Sequence, residues 1–228
     1  MNTSNKRQKK RDWPKILTFA FFPVYIISWA LIQLSLTPRY WIYCRLDDLI
    51  PFCEWFVIPY LFWYIFFAGT LIFFLIKSRE DFLRCGLMSA AAVTVAILIF
   101  CVFPNGIAFR PETLPRDNLL TKALISIVYK LDPPYSVMPS LHCAISLTMA
   151  IALNKSHLMD GRRFLKILWW AIAVLICVST VFVRQHSVLD ILGALALTIP
   201  CYLLAYKIRW RYIYPEDKLE SIPVRSES

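Results

Sequence analysis

Glycine is scarce in this chain, with five residues in 228, and histidine is scarcer still at three. Charge is thin as well: Asp, Glu, Lys and Arg make up 18%, against about a quarter in an ordinary soluble domain. The few glycines exclude a collagen-like repeat. A composition that is 58% hydrophobic and 15% aromatic excludes a disordered chain. Seven cysteines in 228 residues are too few for a disulfide-built mini-protein. No repeat at solenoid spacing and no low-complexity run is present. With a mean hydropathy of +0.55, the composition is that of a membrane protein.

The charge that remains is lopsided, with 25 Lys and Arg against 15 Asp and Glu for a net +10. Such an excess is either a polyanion-binding surface, as for nucleic acid, or the cytoplasmic anchoring of membrane spans. Position decides between them. Six apolar stretches are long enough, or nearly so, to cross about 30 Å of hydrocarbon: 16–36, 55–76, 85–103, 138–153, 164–183 and 187–206. The fourth is the shortest and carries Ser140, His142 and Ser146. The first follows a basic leader and lacks a small-residue cleavage site, so it reads as a retained helix.

With the amino terminus inside, the cytoplasmic side takes the leader (Lys6, Arg7, Lys9, Lys10, Arg11, Lys15), the loops around Lys77 and Arg162, and the tail. The outer side keeps Arg39, Arg45, Arg110, Arg116, Lys122, Lys130 and Arg184. That asymmetry predicts six helices with both termini cytoplasmic. The nucleic-acid reading falls away. The expected organisation is a basic leader at 1–15, one membrane domain at 16–207 and a cytoplasmic tail at 208–228. The fold class is an all-α integral membrane protein, a bundle of six transmembrane helices.

The longest outer connection, 104–137, is too long for a bare loop. Within it, 118–129 places Leu119, Leu120, Ala123, Ile127 and Val128 near one face, which predicts an interfacial amphipathic helix. Cys44 and Cys53 share the first outer loop, where either a bridge or two free thiols would fit.

Two of the three histidines fall at the outer face. His142 opens the fourth span in Met138-Pro139-Ser140-Leu141-His142. His186 lies where the fifth span turns into the sixth, with Asp190 one turn later. Residues four apart stack on one helical face, so Asp190 can hold one imidazole nitrogen protonated and leave the other free to attack. A tie between two helices is the plainer alternative. Ser140 after Pro139 reads as a helix start, whose free N–H groups favour an anion. Arg110, in Phe109-Arg110-Pro111, and Arg184 add two guanidiniums on the same side. Together these make a phosphate site. His157, in a cytoplasmic loop, reads as a solvated residue without a role.

These residues resemble the type 2 phosphatidic acid phosphatase superfamily, which includes lipid phosphate phosphatases and the related inositol phosphorylceramide synthases. The family pattern is Lys then Arg-Pro, Pro-Ser-Gly-His, and Ser-Arg followed by His and Asp. This chain has Arg110-Pro111, Pro139-Ser140-Leu141-His142, and Ser179-Thr180 followed by His186 and Asp190, within a motif region of 110–190. The resemblance implies that His186 is the nucleophile, forming a phosphohistidine, that Asp190 orients it and that His142 protonates the leaving oxygen. It further implies that Arg110 and Ser140 hold the phosphoryl oxygens and that no metal or cofactor takes part. Three positions depart from the pattern: Phe103 stands for the first-block Lys, Leu141 for Gly and Thr180 for Arg. Arg184, one turn after Thr180, is expected to reach back as a substitute phosphate ligand, and Arg116, Lys122 or Lys130 to replace the Lys.

The expected function is a metal-independent lipid phosphate phosphatase or phosphotransferase, with a lipid phosphate as substrate and membrane lipids as surroundings. Its active site would face away from the cytoplasm. Hydrolysis is the simpler default, and Ser-Leu-His leans toward the synthase-like branch. The alternatives are a proton-relaying transporter and a catalytically silent relative.

Overall fold

The computed structural model describes residues 21, 23–32, 35–111, 119–208 and 210. The leader at 1–15, most of the tail and Arg116 lie outside the described residues. Among the described residues the structure is mostly helical, at 75% with eight helices. They are α1 (Pro23–Ile32), α2 (Arg45–Leu49), α3 (Val57–Lys77, led in by a 3-10 turn at Glu54–Phe56), α4 (Arg79–Val102), α5 (Leu119–Leu131), α6 (Leu141–Lys155), α7 (Arg163–Phe182) and α8 (Val188–Tyr206). Four are long and apolar enough to cross a membrane: Glu54–Lys77, Arg79–Val102, Arg163–Phe182 and Val188–Tyr206. The first and fourth expected spans are represented by shorter apolar helices, Pro23–Ile32 and Leu141–Lys155. The 118–129 expectation corresponds to α5, which runs Leu119–Leu131.

α6 carries Ser146 and Thr148 inside an apolar span and is the most central helix, packing against α3, α4, α7 and α8. The two facts have one cause. A helix sheathed by protein need not face lipid, so it tolerates hydroxyls that are satisfied within it. Ser146 donates to the His142 carbonyl at 2.7 Å, and Thr148 to that of Ala144 at 2.9 Å. Ala144, Ala150 and Ala152 are fully buried and let neighbouring helices approach closely. The outer faces of the long helices carry exposed Ile65, Ile72, Leu98, Ile167 and Ile199. A surface of that kind is compatible with a membrane protein.

Polar groups gather at the two ends of the bundle. At one end Ser78 caps α4 by accepting from Asp81 N at 3.2 Å, with Glu80 and Asp81 in the first turn, where the helix dipole favours acids. Arg84, buried there, binds Glu80 Oε1 at 3.1 Å and the Ala205 carbonyl at 2.8 Å, tying α4 to the end of α8. His157 is at this end too, its side chain 97% exposed.

At the other end the connections are stitched together. Tyr40–Trp41 (β1) pairs in parallel with Asn105–Gly106 (β2). A side chain on Gly106 would meet the Pro134 carbonyl at 2.7 Å, so only glycine fits where the two strands and the 134–135 segment converge. Buried Asn105 is the knot: its amide donates to the carbonyls of Phe103 and Met138, both at 2.9 Å, and its oxygen accepts from Val137 N at 2.9 Å and Met138 N at 2.8 Å. Cys44 and Cys53 are separate thiols.

Asn105→Ala leaves four backbone groups without partners at the entrance to α6. Its expected cost is about 2–4 kcal/mol, read as a lowered Tm in detergent. Asn105→Asp keeps the acceptor half and should fall between the two; a Tm for Asn105→Ala within a degree of wild type would show that the knot is dispensable.

Candidate active site

Four segments converge at this end: the start of α8, the start of α6, the 104–111 connection and the turn after α5. Ser187 is the N-cap of α8 and Asp190 is its third residue, and the two form a capping box. Asp190 Oδ2 accepts from Ser187 N at 2.9 Å and meets His186 Nδ1 at 3.0 Å. The sequence expectation therefore gives the right partners by a different route. His186 lies before the helix, not on one of its faces, and the carboxylate reaches it by folding back as a cap. The His186 and Gln185 N–H groups both donate to the Thr180 carbonyl, at 3.1 and 2.9 Å, which fixes the turn. The side chains of His186 and Asp190 are 7% and 0% exposed.

His142 faces His186 from α6, with ring centroids 5.9 Å apart. It stacks on Tyr60 at 4.5 Å and lies against Trp63 at 4.5 Å. Its Nε2 is buried without a hydrogen-bond partner. Ser140 caps α6, accepting from Cys143 N at 3.4 Å, and donates its own N–H to the Asp190 carbonyl at 3.1 Å. Both helix starts are thus fastened to one residue. A cavity of about 190 Å³ opens onto His142 and His186, with Asp132, Ser136 and Gln185 in its wall.

The remaining expected residues lie further back. Arg110 does not line this cavity. Its guanidinium sits over the Tyr129 ring at 4.5 Å, donates to the Asp132 carbonyl at 2.6 Å and makes a short hydrogen bond to Gln185 Oε1. Its buried Nε has no partner. Arg184 is not brought to the cavity. It adopts a left-handed backbone (φ 55°), which turns its side chain outward to the carbonyls of Asp47 at 2.9 Å and Ile50 at 2.7 Å. Its expected reach back over Thr180 is therefore not seen. Thr180 itself is fully buried and donates to the Cys177 carbonyl at 2.7 Å. Phe103 stacks on Tyr40 at 4.4 Å, and neither Lys122 nor Lys130 lines the cavity.

Sequence reasoning missed the residue that steadies this end, Asp47. Fully buried in α2, it accepts from Ser187 Oγ at 2.6 Å, Val188 N at 2.9 Å and Cys44 N at 2.8 Å. It thus caps α8 from another part of the chain, where the helix dipole favours its charge. Gln185, which links Arg110 to the turn, and Asp132, whose carboxylate receives a short hydrogen bond from Tyr60, were also missed. An acid in a mostly apolar outer loop was the one available signal for Asp47.

Among the described residues no cluster of three or more His, Cys, Asp or Glu is arranged to hold a metal ion. No protein-family model, curated protein or solved structure matches this chain.

Burial presses the His186 imidazole below its ordinary 6.5, but the hydrogen bond it donates to Asp190 and the charge of that carboxylate outweigh this and the net shift is upward. A raised folded pKa means that this pair adds stability below pH 6.5 and that the gain is lost as pH rises through the raised value. In an NMR titration His186 should therefore titrate above 6.5 in the wild type and lower in Asp190→Asn, where burial is opposed only by the remaining charges of Cys143 and Asp132. With only three histidines in the chain, His142→Gln and His157→Gln assign the signals. A His186 signal that titrates in Asp190→Asn where it does in the wild type would show that the carboxylate is not the cause.

Proposed function

We propose that this chain is a multi-pass membrane enzyme that cleaves or transfers the phosphoryl group of a lipid phosphate through a phosphohistidine on His186. The observation that carries the reading is the facing pair of imidazoles. An in-line displacement needs a nucleophile about 3–3.5 Å from phosphorus and an acid about 2.6–3.2 Å from the leaving oxygen. The two rings line one cavity, with centroids 5.9 Å apart, so both can reach a group bound there. Asp190 on Nδ1 leaves His186 Nε2 as the attacking atom. The unpartnered Nε2 of His142 is free to protonate the leaving oxygen.

The motif resemblance across 110–190 supports the same roles. In this reading Ser140, with the N–H groups that begin α6, holds the phosphoryl oxygens, and Arg110 joins them by exchanging its bond to Gln185, which stands between it and the cavity. Arg184 then serves by locking the turn that carries His186. The six apolar segments span the membrane, α5 lies at the interface, both termini are cytoplasmic and the site faces the other side, as the charge asymmetry favours. The roles need no metal. Hydrolysis is the default outcome, with transfer to a hydroxyl the variant that Ser140-Leu141-His142 favours. The rival reading of a silent relative draws on Phe103 and Thr180, where the resemblance would place Lys and Arg.

The test is a panel of lipid phosphates incubated with purified protein, without added metal. Wild type should release or transfer phosphate and yield an acid-labile phosphoenzyme on rapid quenching. His186→Ala should lose both by at least about a thousandfold, and His142→Ala should slow turnover about 10²–10⁴-fold. Absence of turnover on every lipid in the wild type, or a phosphoenzyme that survives His186→Ala, defeats the reading.

A further inference from the structure

The cavity that reaches the two histidines has a wall that phosphoryl transfer does not use. Tyr25 and Trp29 of α1 and Trp63 and Tyr64 of α3 line it, and Asp132 lies among them. One oxygen of the Asp132 carboxylate receives the Tyr60 hydroxyl. Arg110 and Gln185 go to its backbone carbonyl instead, and among the described residues no Lys, Arg or His forms an ion pair with its carboxylate. Arg110, held at the backbone carbonyl, offsets this charge from behind, and the carboxylate stands without an ion-pair partner of its own in the wall of the space that His142 and His186 share.

For a bare phosphate monoester that charge is a liability, because like charges repel strongly where water is excluded. A neutral polyol can donate hydroxyl hydrogen bonds to it but brings no charge to offset it. A headgroup carrying a positive charge at its far end gains twice, from the carboxylate and from the negative faces of the surrounding rings, which attract alkylammonium groups.

Resting on the phosphoryl-transfer reading, we infer that the site takes a zwitterionic phospholipid headgroup, a phosphodiester whose alcohol bears an ammonium or trimethylammonium group. The ammonium sits against Asp132, Trp63 and Tyr64, and the phosphorus within reach of both imidazoles. His186 Nε2 attacks phosphorus, forming an N–P bond as the P–O bond to the lipid alcohol breaks. That oxygen leaves with its electron pair and takes the proton of His142. Water or an acceptor hydroxyl then gives its proton back to His142 and forms the new P–O bond, while the N–P electron pair returns to His186.

Binding and turnover test this separately. In full-length His186→Gln, which cannot form the intermediate, Trp29 and Trp63 in the wall report ligand binding by fluorescence. Phosphocholine should bind at least about tenfold more tightly than glycerol phosphate, and Asp132→Asn, nearly isosteric, should bring the ratio close to one. Equal affinities, tighter binding of inositol phosphate, or a ratio indifferent to Asp132→Asn would overturn the inference; a Tm for Asp132→Asn matching its parent excludes misfolding as the cause. In turnover, phosphatidylcholine and phosphatidylethanolamine should be used in preference to phosphatidate and phosphatidylinositol, and a preference for phosphatidate also overturns it. Headgroup discrimination in binding without turnover of any lipid would sink the enzymatic reading alone. Turnover of phosphatidate without discrimination would sink the headgroup inference alone.

Discussion

One carboxylate oxygen carries the organisation of this end of the molecule. Asp190 Oδ2 receives the Ser187 N–H that begins α8 and meets Nδ1 of His186. The start of the helix and the orientation of the imidazole are therefore one structural event. The carbonyl of the same residue accepts from Ser140 N, two residues before His142. A single aspartate positions one histidine with its side chain and braces the helix that carries the other with its backbone. Its second oxygen, Oδ1, is buried without a partner, a cost that persists only where the surroundings over-determine the geometry.

Around that centre the polar groups are arranged so that almost none is buried alone. Asp47 meets the N-terminus of α8 and a hydroxyl, Asn105 closes on four backbone groups, and Arg184 spends its guanidinium on carbonyls. Each replaces hydration by fixed hydrogen bonds, which is what an apolar bundle demands of any polar group it encloses. The exceptions at this end are His142 Nε2, Trp63 Nε1, Arg110 Nε and Asp190 Oδ1.

Much of this was legible in the sequence, for reasons that are local. Apolar length marked the four long helices, and the 3.6-residue pattern of 118–129 marked α5. The spacing of His186 and Asp190 signalled their contact even though the geometry is a cap. What was not legible depends on distance along the chain. Asp47 meets Ser187 across 140 residues, and Gln185 meets Arg110 across 75; no periodicity encodes such meetings. The outward turn of Arg184 follows from one left-handed residue, a conformation that nothing about arginine announces. α6 showed weakly by hydropathy because its place is inside the bundle.

The latch between Asp47 and Ser187 also sets an order in time. With 140 residues between them and synthesis at about 5–20 residues per second, Asp47 waits on the order of ten seconds for the group it caps. Until α8 begins, the outer loop, the turn of His186 and the cavity have nothing to close against. A chain that stopped after α7 would hold His142 and most of the bundle, and nothing resembling the site. The arrival of α8 is thus the event that assembles it.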